Sequence, residues 1–375
     1  MASLVKEHIL DLKPYVPGKP IEEVKRELGL TEVLKLASNE NALGPSPKAV
    51  QALQEAAATV GLYPDGSCSA LKQALAAHWN LEPEQIIIGN GSDELIQFIG
   101  LTFLAPGDEV IQADPSFVRY EAAAILNQAK CLKVPLRNFT SDLEAMAARL
   151  TPRTKLIFVA NPNNPTGTMN TRDEVERLLD RVPDHALVVL DEAYYEYVDD
   201  PDYPDSLQYV REGRNVIVLR TFSKIYALAG LRVGYGLARP DLIGYLNQVR
   251  EPFNVNSLAQ VAALASLQDP EQVERARRMN REGKEQLYRA FTELGLPYVP
   301  SQANFVLVDV KRDSRQVFAA LLRRGVIVRT GDIFGLPTHL RVTVGKPEEN
   351  ERFIAALREV LQEAWGEDHD CHSRP

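Results

Sequence analysis

Short runs of β-branched and aliphatic residues alternate with longer segments rich in Ala, Leu, Glu and Arg through the first two thirds of the chain. Residues 85–89, 109–113, 155–160, 186–190 and 215–219 are near-continuous apolar runs. A half-exposed strand alternates apolar with polar positions. Unbroken apolar runs of this length instead predict strands covered on both faces by helices. Between them, residues 141–150 and 171–181 read as helices. Thr171 with Glu174 three positions later has the spacing of a capping box, in which each side chain satisfies the other's backbone N–H. The alternation predicts an α/β fold around a largely parallel sheet.

The pattern changes near residue 250. Residues 256–293 are one stretch of helix formers, interrupted at Asp269-Pro270. Beyond it come strands predicted at 304–309, 326–329 and 340–344, and helices at 315–324 and 348–363. A domain boundary is expected at 250–260. Residues 366–375 are polar and aperiodic and read as a frayed tail. That tail holds His369, Cys371 and His372, but no matching ligand elsewhere accompanies them, so no metal is expected.

Composition narrows the class. Apolar residues make up 45% and charged residues 25% of 375 positions, ordinary for a soluble protein. The net charge of −9 argues against a nucleic-acid surface. Residues 1–14 include Lys6, Glu7, His8 and Asp11, so no apolar signal-peptide core is present there. No apolar run approaches the ~20 residues of a membrane span. Cys68, Cys131 and Cys371 are scattered and form no CxxC pair, which reads as reduced thiols in a cytoplasmic protein.

Four strand ends carry candidate chemistry. Thr221-Phe222-Ser223-Lys224 follows the run at 215–219, with Arg232 shortly after. Strand ends are where α/β proteins place ligand crevices. Apolar neighbours desolvate Lys224, lowering its pKa and making it a usable nucleophile toward an aldehyde. Ser223 and Arg232 suit a phosphate. By itself this stretch is equally consistent with a structural turn. Asp191-Glu192-Ala193-Tyr194 follows the run at 186–190. It reads either as an acidic strand end or as a buried carboxylate facing a cation such as a protonated pyridine nitrogen, with Tyr194 as a donor to a ring phenolate. Asn161-Pro162-Asn163-Asn164-Pro165-Thr166-Gly167 builds a rigid turn whose first residue presents an amide at a strand tip. Gly89-Asn90-Gly91-Ser92-Asp93-Glu94 leads from a strand into a helix, where unpaired backbone N–H groups can hold phosphate. No GxxxxGK[ST] follows any strand, so a P-loop is not supported.

Together these residues resemble the fold-type-I pyridoxal-phosphate aminotransferases, most closely the branch acting on histidinol phosphate. The resemblance spans nearly the whole chain. Its other carriers are the stretches 12–20, 35–41, 62–66, 250–256 and 340–345; Ala42 departs from the proline usual after that branch's NEN. It implies a doubly wound, mostly parallel sheet in a large cofactor-binding domain, 36–255. A smaller α+β domain, 256–365, would take up the N-terminal segment 1–35.

It implies pyridoxal 5'-phosphate as cofactor and Lys224 as the lysine joined to it as a Schiff base. Asp191 would pair with the pyridine nitrogen, Asn161 and Tyr194 would hold the ring oxygen, and Phe117 would stack on the ring. Gly91, Ser92, Asp93, Thr221, Ser223 and Arg232 would form the phosphate cup. Tyr63 would reach the cofactor of a second subunit, making a homodimer with shared sites. Arg341, Arg329 and Tyr15, with Asn161, would bind substrate. The implied reaction moves the amino group of histidinol phosphate to 2-oxoglutarate by ping-pong half-reactions, a step of histidine biosynthesis. The competing readings are an aromatic amino-acid transaminase, a pyridoxal-phosphate decarboxylase of a phosphorylated amino acid, and a non-catalytic cofactor-binding module.

Overall fold

A computed structural model describes residues 4–14 and 18–363. Tyr15 and the tail at 366–375 lie outside the described residues. In chain order the strands are Leu34–Lys35 (β1), Ile86–Gly89 (β2), Glu109–Asp114 (β3), Lys130–Pro135 (β4), Thr154–Ala160 (β5), Leu187–Asp191 (β6), Val216–Thr221 (β7), Gly234–Ala238 (β8), Tyr298–Val299 (β9), Phe305–Asp309 (β10), Val326–Ile327 (β11), Arg329–Thr330 (β12) and His339–Thr343 (β13).

Seven of them form one sheet in the order β2-β8-β7-β6-β5-β3-β4. The central neighbours pair in parallel, and β8 alone runs against both its partners. Chain order reverses between β3 and β5, and such a reversal opens a crevice beyond the carboxyl ends of the strands. The five runs expected as strands are all present. Their side chains are buried on both faces, which is why they carry no alternation.

Two strands of this sheet escaped the sequence pattern. β4 is an edge strand with exposed Lys130, Lys133 and Pro135. β8 reads Gly-Tyr-Gly-Leu-Ala, where small residues are a packing need. A Cβ on Gly234 would come within 2.6 Å of the Ser92 backbone nitrogen.

The helix Arg172–Leu179 starts at the expected capping box: Thr171 N donates to Glu174 Oε2 at 2.9 Å, and Glu174 N to Thr171 Oγ1 at 3.4 Å. The stretch 256–293 splits into Ser257–Leu267 and Pro270–Glu293, the second capped by Asp269. Ser257–Leu267 packs on Pro47–Ala56 and Ser69–Trp79. Its Ala259, Ala262 and Ala263 join the core under the large sheet. The composition shift at 250–260 therefore marks a change from strands to helices, and the same core continues past it.

A second, antiparallel sheet has the order β12-β13-β10-β9. Its own core holds Leu287, Phe291, Val306, Val308, Leu340, Val342 and Phe353. The parallel pairing of β1 with β11 places Leu34 and Leu36 in that core. The chain from 36 to 41 then runs toward the open ends of the large sheet. Among the described residues no helix is long and apolar enough to cross a membrane, and no cluster of potential metal ligands occurs.

Candidate active site

A cavity of about 470 Å³ opens at the carboxyl ends of β3, β5, β6 and β7. Lys224 enters it three residues past the end of β7, on a turn anchored by buried Phe222, Ile225 and Tyr226. Its Nζ donates to the Ser38 carbonyl at 3.2 Å. Burial, and then the guanidinium of Arg341, pull the Lys224 amine down to about 8. A minor neutral fraction is therefore present at pH 7, growing to about half near pH 8.

Asp191 is the last residue of β6 and is buried. Burial pushes its carboxyl up to about 6, opposed by a hydrogen bond from Tyr120. Tyr120 Oη donates to Oδ2 at 2.7 Å, and the Ala193 N–H donates to Oδ1 at 3.3 Å. The phenol of Tyr194 accepts from Asn39 Nδ2 at 2.9 Å, and its ring packs edge-on against Phe305. Phe117 lines the cavity and meets Tyr120 in a T-shaped contact. Asn161, at the tip of β5, has both amide atoms engaged by the Asn170 backbone. Its Nδ2 donates to that carbonyl at 3.0 Å and its Oδ1 accepts from that N–H at 2.8 Å.

The other cavity wall is built of phosphate-sized parts. Gly91, at φ 81°, precedes the helix Ser92–Phe103, whose first N–H groups have no intrahelical partner. A Cβ on Gly91 would stand 2.7 Å from Arg232 Nη2. Arg232 is itself held in the left-handed region at φ 55° and donates to the Ala229 carbonyl at 3.1 Å. Thr221 Oγ1 donates to Ser223 Oγ at 2.9 Å and accepts from the Ser223 N–H at 3.0 Å. Asp93, expected among the phosphate ligands, points its carboxylate at Arg232, 3.7 Å away. As an anion it orients the cation.

Arg341, on β13, reaches in from the second sheet. It donates from Nη1 to Asn164 Oδ1 at 2.6 Å and from Nη2 to the Ala37 carbonyl at 2.8 Å. Arg329 pairs with Arg341 across β12 and β13 but does not line the cavity. Tyr63 does not line it either; it is 83% exposed and stacked on Phe253 with ring centroids 4.8 Å apart. Ser38, Asn39, Tyr120 and Asn164 line the cavity although none was singled out for a role. Asn39 carried a signal, lying in the recognised stretch 35–41. Tyr120 carried none, because its partner is 71 residues away in sequence.

The chain belongs to the aminotransferase class I and II family, whose sequence model matches residues 31–357. Within that family the chain is similar over nearly its full length to histidinol-phosphate aminotransferases. The one from Moorella thermoacetica is 61% identical over 95% of this chain and 92% of its own length. The one from Caldicellulosiruptor saccharolyticus is 50% identical over 96% of this chain and all of its own length. A solved histidinol-phosphate aminotransferase from Sinorhizobium meliloti, in complex with pyridoxal-5'-phosphate, superposes with a TM-score of 0.89. It is 29% identical and covers 96% of this chain and 98% of its own.

Proposed function

We propose that this enzyme transfers the amino group of histidinol phosphate to 2-oxoglutarate with pyridoxal 5'-phosphate held in the cavity above β5, β6 and β7. One observation carries the reading: a lysine of lowered pKa, a buried carboxylate and a cup of hydroxyls and arginine line the same 470 Å³ space. The cup fits a phosphate because Gly91 leaves room that any side chain would fill beside Arg232. The buried Asp191 fits a protonated ring nitrogen, since a carboxylate in low dielectric is stable only beside a cation.

The chemistry supplied by pyridoxal phosphate when bound is an aldehyde that takes up an amine and a ring that accepts electrons. Everything else falls to the chain. Lys224 Nζ, neutral in part near pH 7 to 8, would take the proton from the substrate's amine-bearing carbon and return it on the far side of the nitrogen, two bonds away. Asp191 holds the proton on the ring nitrogen. The Tyr194 phenol, steadied by Asn39, faces the ring oxygen. Asn161 joins it through the second N–H of its Nδ2, beyond the one given to Asn170. Phe117 covers the ring face, and Gly91, Ser92, Thr221, Ser223 and Arg232 hold the phosphate, with Asp93 setting the arginine.

Arg341, Arg329 and Tyr15 are proposed to bind the substrate's phosphate and, in the other half-reaction, a carboxylate of glutamate or 2-oxoglutarate. The exposed apolar group Val60, Leu62, Tyr63 and Phe253 supports a homodimer in which Tyr63 serves the neighbouring site. A cytoplasmic location completes the reading, with 1–35 and a small unit ending at 365 flanking a large unit that begins at 36 and takes in the helix Ser257–Leu267.

Borohydride reduction of the loaded enzyme, followed by peptide mapping, is expected to mark Lys224. Spectral titration is expected to respond to histidinol phosphate well below the concentration at which phenylalanine acts. A label on another lysine sinks the mechanism. A preference for phenylalanine turns the substrate reading into an aromatic transaminase.

A further inference from the structure

We propose that Tyr120 is a positioning residue for Asp191, its hydroxyl keeping that carboxylate charged and fixed in direction toward the cofactor's ring nitrogen. The inference rests on the reading that the cavity holds pyridoxal phosphate.

Tyr120 sits at the start of the helix Arg119–Leu126, just past β3, and is fully buried. Its ring is locked by Phe158, stacked at 4.5 Å with 7° between planes, and by Phe117 edge-on at 5.7 Å. A ring clamped on two sides delivers its hydroxyl to one place, and that place is Asp191 Oδ2 at 2.7 Å. The donor to the other carboxylate oxygen, the Ala193 N–H, stands off at 3.3 Å. Tyr120 is thus the short bond of the two. Burial pushes its own phenol well above the usual range, so it acts as a donor at any working pH.

Apart from Tyr120 and that backbone N–H, what faces Asp191 opposes its charge. Burial does so most, and Asp93 and Glu192 add two anions. Without the Tyr120 hydroxyl, the carboxyl is left with one long backbone N–H and shifts toward its neutral form. A neutral carboxyl cannot hold a cationic pyridine ring by charge. The competing explanation is that Tyr120 only fills space between two phenylalanines. The two roles separate cleanly, because Tyr120→Phe keeps the rings and removes only the oxygen.

The test reconstitutes stripped wild-type, Tyr120→Phe, Phe158→Leu, Asp191→Asn and Tyr120→Phe/Asp191→Asn proteins with pyridoxal phosphate. Cofactor dissociation constants are then measured by absorbance from pH 5.5 to 9. Tyr120→Phe is expected to bind about tenfold more weakly or worse at neutral pH, the scale of a lost hydrogen bond to a charge. Its acid limb is expected to move to higher pH. Phe158→Leu, which disturbs the stack but keeps the hydroxyl, is expected to move that limb less than Tyr120→Phe does. In the Asp191→Asn background the same Tyr120→Phe change is expected to cost less than about twofold. Equal affinity and an unmoved limb in Tyr120→Phe overturn the proposal, as does an effect of undiminished size when Asp191 is already Asn. Wild-type protein that takes up no pyridoxal phosphate overturns the reading of the cavity itself.

Discussion

Directly behind the site, Glu192 and Arg220 form an ion pair in which both side chains are 1% exposed. Each is the sequence neighbour of a cavity residue, Asp191 and Thr221, and the alternation of side chains along an extended chain sends the two members of each couple to opposite faces. Arg220 donates from Nε and Nη2 to Glu192 Oε2 at 2.9 and 2.8 Å. Ser206 donates to Oε1 at 2.5 Å. The guanidinium lies 3.5 Å from the ring centre of Tyr195 and 4.2 Å from that of Trp79.

Glu192→Gln keeps shape and most contacts but strips the counter-charge from a buried cation, so a loss of about 3–5 kcal/mol is expected. Glu196 limits that loss. Its buried carboxyl is pushed up to about 7 by burial and drawn back by Arg220, so above that pH it supplies a second anion. The penalty should accordingly be smaller at pH 8 than at pH 6. Arg220→Met removes the other partner, and the double variant should recover about 2 kcal/mol or more of the summed losses. Urea unfolding followed by tryptophan fluorescence measures all four proteins, Trp79 reporting on the cation beside it. Single losses below about 1 kcal/mol, or additive losses in the double variant, refute the argument.

Three further outcomes are expected. Because the Glu196 pKa is raised on folding, its contribution to stability is present at acid pH and lost as pH rises through about 7. Glu196→Gln should therefore melt higher than wild type at pH 8, by up to about 3 kcal/mol, with the gap closing toward pH 4.5; a constant gap contradicts this. In the cofactor-free protein, Lys224 should be acylated with a midpoint near pH 8, read by peptide mass spectrometry, and Arg341→Met should move that midpoint upward. A wild-type midpoint above about 9.5 removes the case for an activated amine. Gly91→Ala must displace Arg232 and adopt an unfavourable φ. It should weaken pyridoxal phosphate binding about tenfold or more while leaving the uptake of unphosphorylated pyridoxal unchanged.

The elements that announced themselves in the sequence are those buried on both faces, since continuous apolar runs need no partner to be recognised. β8 stayed hidden because its glycines answer to the Ser92 backbone and to Ile87, which are distant in sequence. β4 stayed hidden because an edge strand is free to be polar. Lys224, Asp191 and the Gly91–Ser92 turn were legible since each follows such a run directly. Tyr120 was not, because a tyrosine three residues after Phe117 reads as packing until the carboxylate it meets is known. Tyr63 illustrates the opposite limit: within one chain its ring stacks on Phe253, and the role proposed for it would lie in a second subunit.

Three consecutive residues leaving β1 each serve a different partner: the Ala37 carbonyl takes Arg341, the Ser38 carbonyl takes Lys224, and Asn39 braces Tyr194. The pairing of Leu34 with Val326 and Lys35 with Ile327, together with the Thr343 N–H donating to the Leu36 carbonyl at 2.9 Å, indexes that stretch against β11 and β13. A slip of one position there, about 3.3 Å, would deal every partner the wrong group at once. The short parallel pairing thus works as a locating pin, and any rocking of the smaller sheet would reach the lysine amine first through the Ser38 carbonyl.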